Sequence, residues 1–286
     1  MISDITLGQF FPGFSLLHKL DPRSKLIGAT LFIVAIFMAK TPLAFLLLTV
    51  FTLAMIFVSR ISFSVIMRGI RPVVYILIFT SLLNIFMIKG ESEPLVSFWV
   101  IEIFKEGIIR AVFMTLRVVL LIVGSSMLLT YTTSPISLTD GLESLLSPLA
   151  KIHVPVHVFS MMMTIALRFI PTLVEETDKI MNAQKSRGAD FTSGSLVRRA
   201  KALIPILVPL FVSAFKRAEE LAVAMECRCY RVDKKRTKLV KLTFHARDFL
   251  TLAVFAAFLA GVILISRMPA SFLGGGFLAN VLSYRI

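Results

Sequence analysis

The sequence holds two cysteines, one tryptophan and four histidines in 286 residues. Cys227 and Cys229 stand one residue apart, too close for an unstrained disulfide, with no histidine or third cysteine beside them to complete a zinc site. They read as small residues of a helix-end turn facing a reducing compartment. His18, His153, His157 and His245 are scattered, and Pro155 lies between the two that could share a helix face. No metal site and no bound cofactor is expected. The chain has no Walker-type GxxxxGK[ST] loop, so it is not expected to hydrolyse nucleotide, and it has no HExxH or GxSxG pattern. Gly274-Gly275-Gly276 is followed by no GK[ST] and reads as a plain loop.

Charge is also scarce. Only 17% of residues are charged and 57% are hydrophobic, with a mean hydropathy of +0.86. Soluble domains carry about a quarter charged residues, so the composition points to a membrane protein. The net charge of +14 fits basic cytoplasmic loops and anionic headgroups. A nucleic-acid partner is discounted, because the phenylalanines sit in apolar runs and do not alternate with lysine or arginine. Acidic residues are nearly absent from those runs, which argues against a proton-driven carrier. Two matching halves with Gly/Pro-broken helices are lacking too, which argues against an inverted-repeat carrier.

What is present is a series of apolar segments. Asp21-Pro22 predicts a helix start, with Asp21 as N-cap and Pro22 at the first position. Lys19, Arg23 and Lys25 precede the first span and predict a cytoplasmic N-terminus. The run from 26 to 58 is too long for one span and divides at Lys40-Thr41-Pro42 into a hairpin whose first helix is short. Arg60, Arg68 and Arg71 are expected in a cytoplasmic loop, before a third span over 72–88 that contains Asn84. A fourth span over 108–130 carries Arg110 and Arg117, and Arg117 is expected to pair with protein. Trp99, in the preceding loop, reads as an interfacial anchor. A last span covers 249–265.

Between the fourth and last spans, residues 134–245 carry seventeen Lys/Arg against ten Asp/Glu and are expected to be cytoplasmic. A short amphipathic helix over 139–151 leads into two long ones. The first carries Phe159, Met162, Ala166, Phe169, Leu173 and Ile180 at helical spacing, opposite Thr164, Arg168, Thr172, Glu175 and Lys179. The second starts near Ser195, with Ala200, Leu203, Leu207, Phe211, Ala214, Ala218, Ala222 and Met225 as its apolar stripe. Pro155, Pro171, Pro205 and Pro209 let these helices bend. Each long helix closes on an arginine within a short polar or small-residue break, Lys185-Ser186-Arg187-Gly188 and Glu226-Cys227-Arg228-Cys229. A basic residue in the last turn suits the negative end of the helix dipole, and Gly188 suits a left-handed cap. One such ending is an ordinary cap; two of them, 41 residues apart, favour paired docking points. The run from Arg231 to Lys241, opposed only by Asp233, reads as a cytoplasmic anchor.

At Leu20-Asp21-Pro22-Arg23-Ser24-Lys25-Leu26, Ser186-Arg187-Gly188 and Ala224-Met225-Glu226-Cys227-Arg228-Cys229-Tyr230, the chain resembles the transmembrane T component of energy-coupling factor (ECF) vitamin transporters, the CbiQ/EcfT-like family. The resemblance covers nearly the whole chain. It implies that Ser186, Arg187, Gly188 and Cys227, Arg228, Cys229 stand where the family places two Ala-Arg-Gly-like triplets, each engaging one of two ABC-type ATPase subunits. It further implies a membrane S component that binds the vitamin or metal and is moved by the two coupling helices. Ser186 and Cys227 replace the family's alanine, and Cys229 replaces the second glycine. A non-glycine residue is penalised in the left-handed region, so the second helix is expected to end differently from the first. Under this reading Ala214, Ala218 and Ala222 are a small-residue stripe for close helix crossing, and Met161, Met162 and Met163 offer an adaptable apolar surface for the S component.

The expected fold is therefore all-α and integral to the cell membrane, with about five transmembrane helices plus long amphipathic cytoplasmic coupling helices. Three regions are expected: an N-terminal leader with four spans (1–133), a coupling-helix module (134–245), and a C-terminal span with its tail (246–286). The chain is expected to be non-catalytic, with the ATPases, the S component and the lipid bilayer as partners. The alternatives are an integral membrane enzyme, for which no acid/base or metal constellation is visible, and a self-sufficient carrier.

Overall fold

The computed structural model describes residues 11, 13, 15–87, 96–98, 101–191, 195–231 and 242–267. The sequence readings of Trp99, of the basic residues after Arg231 and of Gly274-Gly275-Gly276 lie outside the described residues. Eight α-helices, one short β-hairpin, a π-helical segment and a 3-10 turn make up the described elements. They fall into two compact units. One takes the described residues of Glu143–Lys241, and the other those of Gly8–Leu142 with Leu242–Ile286.

In the larger unit, α1 (Pro22–Met38) starts as its sequence predicts, with the Asp21 carboxylate accepting from the Arg23 amide at 2.9 Å and Pro22 in the first turn. Thr41 and Pro42 begin α2 (Pro42–Ser59) in the same way. α3 runs from Phe63 to Met87, nine residues earlier than expected, so Arg68 and Arg71 lie on a helix and not in a loop. Pro72 forfeits one backbone hydrogen bond, but the apolar residues on both sides carry the helix through it. Strands β1 (Val96–Phe98) and β2 (Ile101–Ile103) pair antiparallel. α4 (Lys105–Ser125) follows, and its last turn widens into a π-helical segment, Ser126–Tyr131.

α8 (Ala246–Arg267) returns to pack against α1 and α2, and α4 packs against α1, α2 and α3. Phe32 and Ile36 of α1, Phe45 and Leu48 of α2, Leu128 beyond α4 and Val262 of α8 are fully buried in the resulting core. Phe51 and Phe258 stack with ring centroids 3.9 Å apart. Gly124 lies under the Phe32 ring, where an added Cβ would collide with the ring carbons. Arg117 donates to the carbonyl of Ala39, the C-cap of α1, at 3.0 Å, and its guanidinium lies 5.3 Å from the Phe45 ring centroid. A cation at that end satisfies an orphan carbonyl and opposes the helix dipole, which supplies the expected pairing with protein. Asn84 donates to the Thr80 carbonyl one turn back.

The sequence Leu20-Asp21-Pro22-Arg23-Ser24-Lys25 forms a buried polar knot. Asp248, 2% exposed, accepts from the amides of Asp21 and His245 at 2.8 and 2.9 Å, and so fastens the starts of α1 and α8 together. Lys25, equally buried, donates to the carbonyl of Thr132 at 2.8 Å and to Thr133 Oγ1 at 3.1 Å, just past the π turn. Lys25 is thus a brace between elements and not a surface anchor charge.

α5 (Pro135–Leu146) begins four residues before the expected start, because Ser134-Pro135 repeats the polar-cap-then-proline signal used at Asp21-Pro22. Pro148 then tightens the chain into a 3-10 turn, Ser147–Ile152. The smaller unit is dominated by α6 (Val156–Ser186) and α7 (Leu196–Cys227), which pack on each other. At 31 and 32 residues each is about 46–48 Å long. Pro155 precedes α6, while Pro171, Pro205 and Pro209 lie inside the two helices.

Five described helices are long and apolar enough to cross a membrane: α2, α3, α4 with its π turn, α6 and α8. The total agrees with the sequence expectation, but the membership differs. α1, with 17 residues and about 25 Å, lies at the lower limit for a span and is the short first helix expected of the hairpin. α6 qualifies because Arg168 is the only Lys, Arg, Asp or Glu in its first half, its other charges falling after Val174.

Candidate functional site

The two long helices end alike. Arg187 is the C-cap of α6; the Gly188 amide donates to the Lys185 carbonyl at 2.9 Å and the Ala189 amide to the Gln184 carbonyl at 3.0 Å. At the end of α7, the Cys229 amide donates to Glu226 at 2.8 Å and the Tyr230 amide to Met225 at 3.0 Å. These are two copies of the Schellman motif, in which the residue after the C-cap turns left-handed and the last carbonyls are satisfied by reversed bonds. Gly188 takes φ +85° and Cys229 takes φ +56°. The expectation of a different second ending is thereby overturned. The 5→2 and 6→1 bonds of the motif offset the penalty that a side chain meets in that region.

This geometry places Arg187 and Arg228 at equivalent positions, and both are exposed. Ser186, Gly188, Cys227 and Cys229 around them are exposed too. Ser186 Oγ donates to the Asn182 carbonyl at 3.1 Å, and the two thiols are free. Each helix therefore presents an arginine on a short, rigid turn, where five donors and a full charge meet the surroundings.

Between the helices, Glu176 of α6 accepts from Ser213 Oγ at 2.5 Å and from Arg217 at 2.9 Å on α7. Both carboxylate oxygens are engaged, by partners one turn apart, which fixes the register of the crossing. The sequence reading passed over Glu176 in favour of its neighbour Glu175, which is exposed. The available signal was Ser213, the one polar residue in the run from Ala202 to Phe215, with Arg217 at i+4.

This clamp also decides which face of α7 is covered. Ala202, Ile206, Leu210, Ser213, Arg217, Leu221 and Met225 are buried or half-buried. The stripe expected from periodicity is displaced, since Leu203, Leu207 and Phe211 are 46%, 46% and 61% exposed. From Ala202 to Val212 α7 is apolar all round, so hydrophobicity alone does not select a face there. Ala214 is half-buried, while Ala218 and Ala222 are exposed. Met161 is half-buried, and Met162 and Met163 are exposed near the start of α6.

Taken together, the apolar helices and the paired endings define a multi-pass membrane protein that carries two identically capped, arginine-ended helices. The profile of the cobalt transport protein family, CbiQ, matches residues 13–239. The chain is 51% identical over 268 residues to the energy-coupling factor transporter transmembrane protein EcfT of Clostridium kluyveri, covering 94% of this chain and 98% of that protein. It is 55% identical over 248 residues to EcfT of Brevibacillus brevis, covering 87% and 93%, and 48% identical over 262 residues to EcfT of Bacillus subtilis, covering 91% and 98%. The chain belongs to this CbiQ/EcfT family, the transmembrane components of ECF transporters.

Proposed function

We propose that this protein is the non-catalytic coupling subunit of an ECF-type uptake transporter for a vitamin or metal. Arg187 and Arg228 each dock into an acidic or carbonyl-lined groove on one of two ABC-type ATPase subunits, with Ser186, Gly188, Cys227 and Cys229 holding the turns that present them. The Glu176 clamp to Ser213 and Arg217 makes α6 and α7 one lever, so that closure of the ATPase pair is transmitted along both helices. Met161, Met162 and Met163, with Ala214, Ala218 and Ala222, contribute the apolar surface on which a separate substrate-binding S component rides. The N-terminus and the arginine-ended turns of the two long helices lie on the cytoplasmic side. Residues 1–133, 134–245 and 246–286 then divide the labour into spans, coupling module and closing span.

The observation that carries the reading is the repetition of one Schellman cap, with an exposed arginine at its C-cap, at the ends of two helices clamped together. The test is co-purification of the ATPase subunits with chains bearing Arg187→Glu, Arg228→Glu or both. Each single reversal is expected to weaken retention and the double reversal to abolish it, while the chain still inserts in the membrane. Full retention by the double variant would refute the docking role.

A further inference from the structure

α3 stands apart from the other apolar helices in how little of it is covered, since only Ile66 and Leu77 are buried. Toward its start, Ser64, Arg68, Arg71 and Tyr75 follow the spacing i, i+4, i+7 and i+11, which places them on one face. All four are exposed. Together with Phe63, Met67 and Val74 they line a groove of about 550 Å³. Neither arginine has an ion-pair or hydrogen-bond partner among the described residues, and α3 contains no aspartate or glutamate. Pro72, between the two arginines, has no N–H to give the Arg68 carbonyl, so an acceptor is left beside them on an exposed stretch of helix.

The depth of these groups is informative. Counting back from Met87 at 1.5 Å per residue, a core of about 30 Å ends near Arg68. Arg68 therefore sits at the headgroup boundary, and Arg71, about 4.5 Å deeper, reaches it with its long side chain. Below them, Ile78, Phe79, Leu82 and Phe86 are 44–60% exposed along the same helix, at the depth of acyl chains.

We propose that this groove is a specific site for an anionic phospholipid. The phosphate is held between Arg68 and Arg71, Ser64 lies on its aqueous side beside the headgroup, and one acyl chain follows Tyr75, Ile78 and Leu82. Two cations with no anion beside them among the described residues select against zwitterionic lipids, whose ammonium group finds no partner there.

The test uses the full chain with Trp99→Phe and Ile78→Trp, reconstituted in vesicles of phosphatidylcholine. Tryptophan quenching is then compared for dibrominated phosphatidylglycerol and dibrominated phosphatidylcholine of equal chain length. A relative affinity about tenfold in favour of phosphatidylglycerol is expected at position 78. It should fall to about one in Arg68→Gln/Arg71→Gln and be largely kept in Arg68→Lys/Arg71→Lys, which shows that the site and not the fold was changed. Equal quenching by the two lipids would mean bulk bilayer or protein contact and would overturn the proposal. So would a preference that survives the double glutamine variant.

Discussion

Replacing Asp248 with alanine removes a buried carboxylate that holds the amides of Asp21 and His245 at 2.8 and 2.9 Å. Hydrogen bonds to a charged group contribute about 1.5–3 kcal/mol each, and a buried donor left unsatisfied costs about 1–3 kcal/mol more. The side chain is only 3% exposed, so water does not readily replace it. Lys25, buried nearby, also loses a carboxylate from its surroundings. Removal of one partner from such a cluster is expected to cost about 3–5 kcal/mol. Asp248→Asn keeps one acceptor but turns an NH2 toward the other amide, and should lose about half as much. Thr41→Ala is the internal comparison, because its hydroxyl caps a single amide at 3.4 Å and such caps are worth about 1 kcal/mol. The assay is reversible unfolding of the purified chain in mixed micelles, monitored by circular dichroism. An Asp248→Ala loss no larger than that of Thr41→Ala would refute the argument that this knot ties α8 to α1.

Three further outcomes follow from the packing. Gly124→Ala drives a methyl into the buried Phe32 ring and should destabilise by about 1–3 kcal/mol, measured by the same unfolding assay. Cys229→Gly relieves a left-handed side chain and should stabilise the chain by up to about 1 kcal/mol, with ATPase retention unchanged. Glu176→Gln keeps the shape of the clamp but removes its charge. It should leave ATPase subunits bound while lowering substrate uptake per ATP hydrolysed in proteoliposomes; an unchanged ratio would deny Glu176 a part in coupling.

Much of the fold is legible in the sequence where a local rule acts alone. Asp21-Pro22 and Thr41-Pro42 place the first two helix starts because a cap and a proline leave few alternatives. Ser134-Pro135 carries the same signal, yet the start expected from the sequence lies four residues later, at Thr139. The start of α3 is misread because the arginines at 68 and 71 look like a loop, whereas the helix runs on through both of them from Phe63. The buried face of α7 is set by a single polar clamp, and its partner Glu176 lies 37 residues before Ser213, beyond any periodic pattern. The purpose of Leu20-Asp21-Pro22-Arg23-Ser24-Lys25 depends on Asp248 and Thr132, more than a hundred residues away. The two arginine endings are visible in sequence as a repeated spacing. Their equivalence depends on Cys229 adopting the glycine conformation, which sequence preference argues against.

The most direct test of the docking role uses the chain's own thiols. Cys227 and Cys229 flank Arg228 and are its only cysteines, and both are free and exposed. Maleimide labelling is measured on the isolated chain and on the assembled complex with both ATPase subunits. Rapid labelling of the isolated chain and strong protection in the complex, lost when Arg228→Glu releases the ATPase, is the predicted result. Equal labelling in both states, with the ATPases still bound, would contradict the claim that the end of α7 is a docking point.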